Sequence, residues 1–371
     1  MIKKLYLIQS DANDNIISHG IHIDKLFNKF ESKQLNIKTV SFNDALNNTW
    51  NGLDEGILLI HSFTAWSKND WNLFLSNVKI PLFIIPTELN DKQELQQTFN
   101  NPFISKIIVC TEFFQKYFLK TLEFNSNKVK LIYLPTEDLR PLILYRKPKV
   151  KEEIVQPVIL CPSLLTSDKN YDVLLKAIKK LKYKYNNVIF ALYLKSHPDL
   201  SIEECETLLA QLHTKAQIHG LGPNIRILLN TKYTYEAYLK LADMVVIPIQ
   251  NNNDLYSGTI IDAIMAHKAI IAPDTKLAYD LCKKDAGIYL YTTVKNLEPK
   301  FDKNKVKEKK QSVPMTEDEI VNCIVDNCSI ILDSPEIKYI MEEQNSLLSN
   351  DYLFSKISQQ YLNLIRRYKH Q

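Results

Sequence analysis

The sequence predicts an α/β protein built from two doubly wound, parallel-sheet domains, and three observations carry that expectation. The chain has 371 residues, beyond the roughly 250–300 at which a single hydrophobic core stops growing. Short apolar runs rich in branched residues alternate with stretches of helical spacing, the pattern of strands covered by helices on both faces. A charged, proline-bracketed segment at residues 146–157, RKPKVKEEIVQP, interrupts this pattern, which then restarts.

Taken in order, the first apolar runs are Leu5–Ile8, Ile57–Ile60, Leu82–Ile85, Ile107–Val109 and Leu131–Leu134. Each lacks polar alternation, as buried parallel strands do. Ile23, Leu26, Phe27 and Phe30 mark a helix between the first two. A first domain is expected over residues 1–146, with 147–157 as linker. The second, residues 158–345, has strands at Val158–Cys161, Val188–Tyr193, Ile225–Leu229, Met244–Ile247 and Ala269–Ala272. Between the first two of these, Leu174, Ile178, Leu181 and Tyr185 define one helix face. Residues 298–310, EPKFDKNKVKEKK, are basic and apolar-poor and read as an exposed loop. In the terminal segment 346–371, Phe354, Ile357, Tyr361, Leu364 and Tyr368 mark an amphipathic helix. Open α/β sheets bind ligands beyond the carboxyl ends of their strands, so the two domains are expected to face each other across a cleft.

Composition excludes several classes. With 45% hydrophobic and 24% charged residues the chain is globular, not disordered. No apolar run approaches the ~20 residues needed to span a bilayer. The start, MIKKLYLIQSDAND, lacks the long apolar region and cleavage site of a secretory signal, so a cytoplasmic protein is expected. A net charge of +4 is too mild for a nucleic-acid binder, and no nucleic-acid partner is expected. The six cysteines form no C-x-x-C pair and read as reduced, buried thiols, so no metal is expected. The helix Thr111–Phe124 sets Phe113, Phe114, Tyr117 and Phe118 beside Lys116 and Lys120. It either rests peripherally on an anionic membrane or packs its aromatics on the sheet.

The most informative stretch is Tyr235–Thr275, which reads as helix, buried strand, polar loop, helix and buried strand. The helix begins near Ser257–Thr259, and Gly258 there is one of only seven glycines. Its free N–H groups and positive dipole end suit a phosphate. Asp254 precedes the helix, and Asp262 lies in its second turn. Read from the residues alone, a Ser257 cap, a Gly258 turn and a solvated Asp262 are the better account of this stretch.

This stretch resembles the signature of glycosyltransferase family 4, retaining enzymes of the GT-B fold with two Rossmann-like domains. The family carries two acidic residues separated by seven others, and Asp254 and Asp262 match both, although Glu is usual at each. The resemblance implies that Asp254 contacts the donor sugar, Asp262 the nucleotide ribose, and the amides of Tyr256, Ser257, Gly258 and Thr259 the diphosphate. In AHKAIIAPDT, His267 and Ala269 replace the usual Gly and Pro, so a left-handed His267 is expected at the helix end. CPSLLTSDKNYDVLLKAI resembles the first strand–loop–helix of the nucleotide domain, with Ser163 among the donor-binding residues. There Lys169 matches a phosphate-binding Lys, but Leu164 stands where an Arg is usual. In KSHPDL, Lys195 and His197 stand where the family passes the nucleotide, and Lys195 is either a substitute for the missing cation or a solvated strand-end lysine.

In the first domain, KIIVCTEFFQKYFL and KVKLIYLPTEDLRPL are similar to the family's later strands. The loop after the first strand, usually glycine-paired, holds Gly20 alone, and Gly20 is its candidate acceptor- or phosphate-loop residue. Where a catalytic histidine is usual, PLFIIPTELND offers Thr87 with Glu88 beside it, and His61 ends the strand ILLIH. Asp254, His61 and Glu88 are therefore the catalytic candidates. The resemblance implies hexosyl transfer from a nucleotide-diphosphate sugar to a glycan, lipid-linked or other acceptor, with no cofactor. It also implies a terminal helix that returns to the first domain. The rivals are a catalytically silent relative serving as a partner or sugar-binding subunit, and a GT-B sugar-nucleotide epimerase.

Overall fold

The computed structural model describes residues 4–9, 36–41, 44, 56–61, 68–78, 80–86, 92–133, 156–166, 169–196, 200–229, 232–248, 258–282, 284–292, 294–296 and 312–368. Two compact units emerge. One comprises residues 1–139, 251–265 and 348–371, the other residues 140–250 and 266–347.

The first unit is built on β1 (Lys4–Gln9), β2 (Asn36–Ser41), β3 (Ile57–His61), β4 (Leu82–Ile85), β5 (Ile104–Val109) and β6 (Val129–Leu131). They form one parallel sheet in the order β2-β1-β3-β4-β5-β6. Both faces are covered, which is why the central strands are apolar throughout. On one face α1 (Lys68–Asn77), α2 (Lys92–Phe99) and α3 (Glu112–Lys116) bring Phe74, Leu95, Phe99 and Phe114 into a shared core. Thr111 caps α3 by accepting the Phe114 N–H at 3.3 Å, and the helix then widens into a π-turn over Tyr117–Thr121. Phe114 and Phe118 are fully buried, and Phe113 and Tyr117 pack against the same core. Of the two readings of this helix, the structure shows the packing one.

The second unit begins with β7 (Val158–Leu165), α4 (Tyr171–Lys184), β8 (Ile189–Ser196), α5 (Ile202–Ile218), β9 (Ile225–Leu229), α6 (Lys232–Leu241) and β10 (Met244–Val246). The chain continues through α7 (Gly258–Met265), β11 (Ala269–Pro273), α8 (Lys276–Cys282) and β12 (Ile288–Tyr291). A small antiparallel pair follows, β13 (Val294–Asn296) with β14 (Ser312–Pro314). The expected loop 298–310 falls in the connection between them and lies outside the described residues. The second sheet is parallel in the order β12-β11-β10-β7-β8-β9. Chain order reverses between β7 and β10, the switch point at which such sheets bind ligands.

Three helices close the chain: α9 (Glu317–Asp333), α10 (Pro335–Ser349) and α11 (Phe354–Arg367). Ser201 with Glu204 and Thr316 with Glu319 form capping boxes that start α5 and α9. Helix α10 is fixed to the amino edge of the second sheet by Asn345. Its amide accepts the Gly287 N–H at 2.9 Å and donates to the carbonyls of Lys268 at 2.7 Å and Gly287 at 3.1 Å. Around it Lys338 pairs with Asp243 at 3.4 Å and Glu342 at 3.1 Å.

Helix α11 belongs to the first unit. There Tyr368 donates to Ser105 Oγ at 2.8 Å and meets the Phe83 ring edge-on, centroids 5.3 Å apart. The unit boundary departs from chain order in a second place, because 251–265 also groups with the first unit. A boundary read from sequence follows chain order, whereas packing follows apolar surface. Every residue of α7 except Thr259 and Asp262 is buried.

Candidate functional site

The carboxyl edge of the second sheet holds two of the positions that the sequence singles out, Leu164 and Lys195. Strand β7 runs four residues beyond the expected Cys161, to Leu165, so Ser163 and Leu164 lie on the strand and not in a loop. Pro162 ends the apolar run in the sequence, yet β7 stays in register with β8 through Leu165↔Ser196. That register sets Leu164 directly beside Lys195. Neighbouring residues in a parallel pair share a face ~5 Å apart, so the lysine stands next to the position that lacks a cation. Two residues back on that face of β8 is Tyr193, which stacks on Tyr235 of α6 with centroids 4.9 Å apart. The Lys195 ammonium lies 5.8 Å from the Tyr235 ring centre, within cation–π reach.

Sequence reasoning missed this aromatic pair. The signal was available for Tyr193, because Tyr and Lys two apart on a strand must share a face. Nothing in the sequence paired either with Tyr235.

Ser163 is held structurally. Its hydroxyl accepts from Tyr171 at 3.2 Å and donates to the Leu164 carbonyl at 3.0 Å, and Tyr171 donates to that carbonyl at 2.5 Å. Lys169 sits just before α4, whose first turn Asn170 caps through the Val173 N–H at 3.4 Å. It lines a concavity of about 360 Å³ together with Leu165, Thr166, Gln211 and the Asp172–Lys215 ion pair, closed at 2.8 Å. Leu165 belongs to the core face of the sheet, the face opposite Leu164 and Lys195. The two candidate lysines therefore lie in different surroundings.

Helix α7 starts at Gly258, as expected, with Thr259 and Asp262 part-buried along it. Its C-terminal turn ends at His267 with φ 53°, the left-handed conformation expected of a residue standing in glycine's place. Gly20, Glu88, Thr87, His197, Asp254, Tyr256 and Ser257 lie outside the described residues. His61 ends β3.

The thiols offer no nucleophile. Cys110, Cys161, Cys205 and Cys328 are buried and free, and burial pushes the Cys161 pKa up to about 12. Among the described residues no group of three His, Cys, Asp or Glu is placed to hold a metal ion, and no helix is long and apolar enough to cross a membrane.

No curated relative matches the chain in sequence. Residues 146–310 match the family model described as glycosyl transferases group 1. Solved structures match almost the whole chain at low identity. A glycosyltransferase from Rickettsia africae ESF-5 superposes with TM-score 0.70 at 14% identity, over 98% of each chain. Anabaena HepE, in complex with UDP and glucose, gives 0.68 at 12%, over 99% of this chain and 100% of its own. The sucrose-phosphate synthase of Thermosynechococcus elongatus gives 0.67 at 11%, over 98% of each. With two parallel six-stranded sheets matching these structures over nearly the whole chain, the chain has the GT-B fold, and its residues 146–310 match the glycosyl transferases group 1 model.

Proposed function

We propose that the protein transfers a sugar from a nucleotide-diphosphate donor to a glycan, lipid-linked or other acceptor, with retention of anomeric configuration. The observation that carries the donor site is the Leu164↔Lys195 register beside the Tyr193–Tyr235 pair. It supplies a cation and an aromatic surface at the switch-point edge of a group 1 domain, and the similar HepE is described with UDP and glucose. In this reading Lys195 and the amides at the start of α7 neutralise the leaving diphosphate, and no metal or other cofactor is called for. Lys169 contributes from the loop after β7. Asp262 accepts the ribose hydroxyls, and Asp254 touches the donor sugar. His61, Glu88 and the Gly20 loop serve the acceptor side. The reaction is cytoplasmic, and a lipid-linked acceptor would be met at the inner face of the membrane.

Catalysis of this kind rests on positioning and on stabilising departing charge, so removing one diphosphate cation should be costly. Lys195→Ala is expected to weaken UDP binding about tenfold or more while leaving uridine nearly unchanged, because charge-assisted hydrogen bonds contribute ~1.5–3 kcal/mol. Calorimetry with both ligands, beside a panel of nucleotide sugars assayed for transfer and slow hydrolysis, checks this. Equal losses for UDP and uridine would remove Lys195 from the diphosphate site. Leu164 in place of a cation favours one second reading, a catalytically silent sugar-binding relative. No turnover with any donor despite intact UDP binding would select it.

A further inference from the structure

A second cationic centre lies in the first unit. Lys106 of β5 and Lys130 of β6 project from the same sheet face, since Ile108 is the register partner of Lys130 and Lys106 lies two residues before it. Backbone carbonyls of one turn draw the two ammonium groups together. Lys106 Nζ donates to the Asn127 carbonyl at 2.7 Å, and Lys130 Nζ to the Ser126 carbonyl at 3.2 Å. Lys106 Nζ also lies 5.8 Å from the ring centre of Tyr368, the residue that follows Arg366 and Arg367 at the end of α11. Both arginines are exposed. Among the described residues no carboxylate pairs with any of these four side chains.

Like charges held this close on fixed carbonyl seats repel, and the strain is relieved by an anion that bridges them. Burial first, and the Lys130 charge second, pull the Lys106 pKa below its usual value. Arginine adds the planar fork suited to phosphate oxygens. We propose that Lys106, Lys130, Arg366 and Arg367 form a binding site for phosphate groups on the first unit. It shares no residue with the proposed donor site, so it stands whether or not the donor reading does. The phosphate comes either from a soluble phosphorylated molecule or from the headgroups of an anionic membrane, and the two sources are separable.

The test uses the full chain with inorganic pyrophosphate in one arm and vesicles in the other, half of them carrying 30% (roughly) phosphatidylglycerol and half phosphatidylcholine alone. Saturating UDP is present throughout to occupy any donor site. Pyrophosphate binding that falls about tenfold or more in the Lys106→Gln/Lys130→Gln variant supports a soluble phosphate. Flotation only with anionic vesicles, lost in the same variant and weakened by salt, supports headgroups. Arg366→Gln/Arg367→Gln, which alters only exposed side chains, should reduce the same signal without affecting folding. No binding in either arm, or binding that both variants leave unchanged, overturns the proposal.

Discussion

At the scale of single residues, neighbouring strands explain what the sequence leaves ambiguous. Leu164 reads as a lost cation along the chain, and only pairing with β8 shows Lys195 beside it. Ser163 reads as a site residue, yet its hydroxyl is tied to Tyr171 and Leu164. His267 is the opposite case, because the resemblance put it where a glycine is usual and the structure holds it in the left-handed conformation. Lys268, next in the chain, has a role no motif announced. Burial lowers its pKa to about 8, the nearby Lys338 charge adds to that, and Glu342 and Asp243 only partly offset it. Unfolded, the same lysine titrates near 10.4. Between pH 8 and about 10.4 the unfolded chain therefore binds more protons, and stability rises with pH through that window. Lys268→Met removes the charge that folding must desolvate. It should stabilise the protein by about 1–2 kcal/mol at pH 7, discounted for partial exposure, and by almost nothing above pH ~10.5. Urea titrations at the two pH values test this, and an equal gain at both would assign the effect to packing.

At the scale of elements, continuous apolar runs were the legible part. β4 occupies the expected Leu82–Ile85 and is buried throughout, because a buried parallel strand writes its limits in apolar residues. β2 escaped notice because Asn36–Ser41 is an edge strand with Lys38 and Thr39 exposed and Val40 buried. β6 was expected at Leu131–Leu134 and instead pairs over Val129–Leu131, where Lys130 interrupts the apolar run. The contact that locks α10 to the second sheet was not legible at all, since Gly287 and Asn345 are 58 residues apart. A Cβ on Gly287 would collide with the backbone carbonyl of Met341. No side-chain rotation relieves a clash with backbone, so Gly287→Ala should cost about 3 kcal/mol or more. Asn345→Ala would strand the buried Gly287 N–H and two carbonyls, for an expected loss of roughly 2–4 kcal/mol. Equilibrium unfolding of both variants checks the pair. Gly287→Ala at wild-type stability would mean that α10 is free to shift.

At the scale of the whole molecule, each unit has its own core, and the last helix serves the one farther away in sequence. Ile357, Tyr361 and Ile365 of α11 are each at most 1% exposed, and residues 348–371 group with the first unit. The amphipathic spacing of this helix was legible, while its destination came from family resemblance, because a helical stripe says only that something apolar covers it. Its contribution can be separated from that of α10 by a property of the sequence. All three tryptophans, Trp50, Trp66 and Trp71, fall in the first unit. Tryptophan fluorescence therefore follows unfolding of that unit, whereas far-ultraviolet circular dichroism follows both. Ile357→Ala removes a fully buried side chain and should cost about 2–5 kcal/mol. The loss should appear in the fluorescence-detected transition. Gly287→Ala, confined to the second unit, should shift the dichroism curve and leave the fluorescence midpoint where it was. If Gly287→Ala moves both curves together, the units unfold as one cooperative body, and the two cores do not act as independent sources of stability.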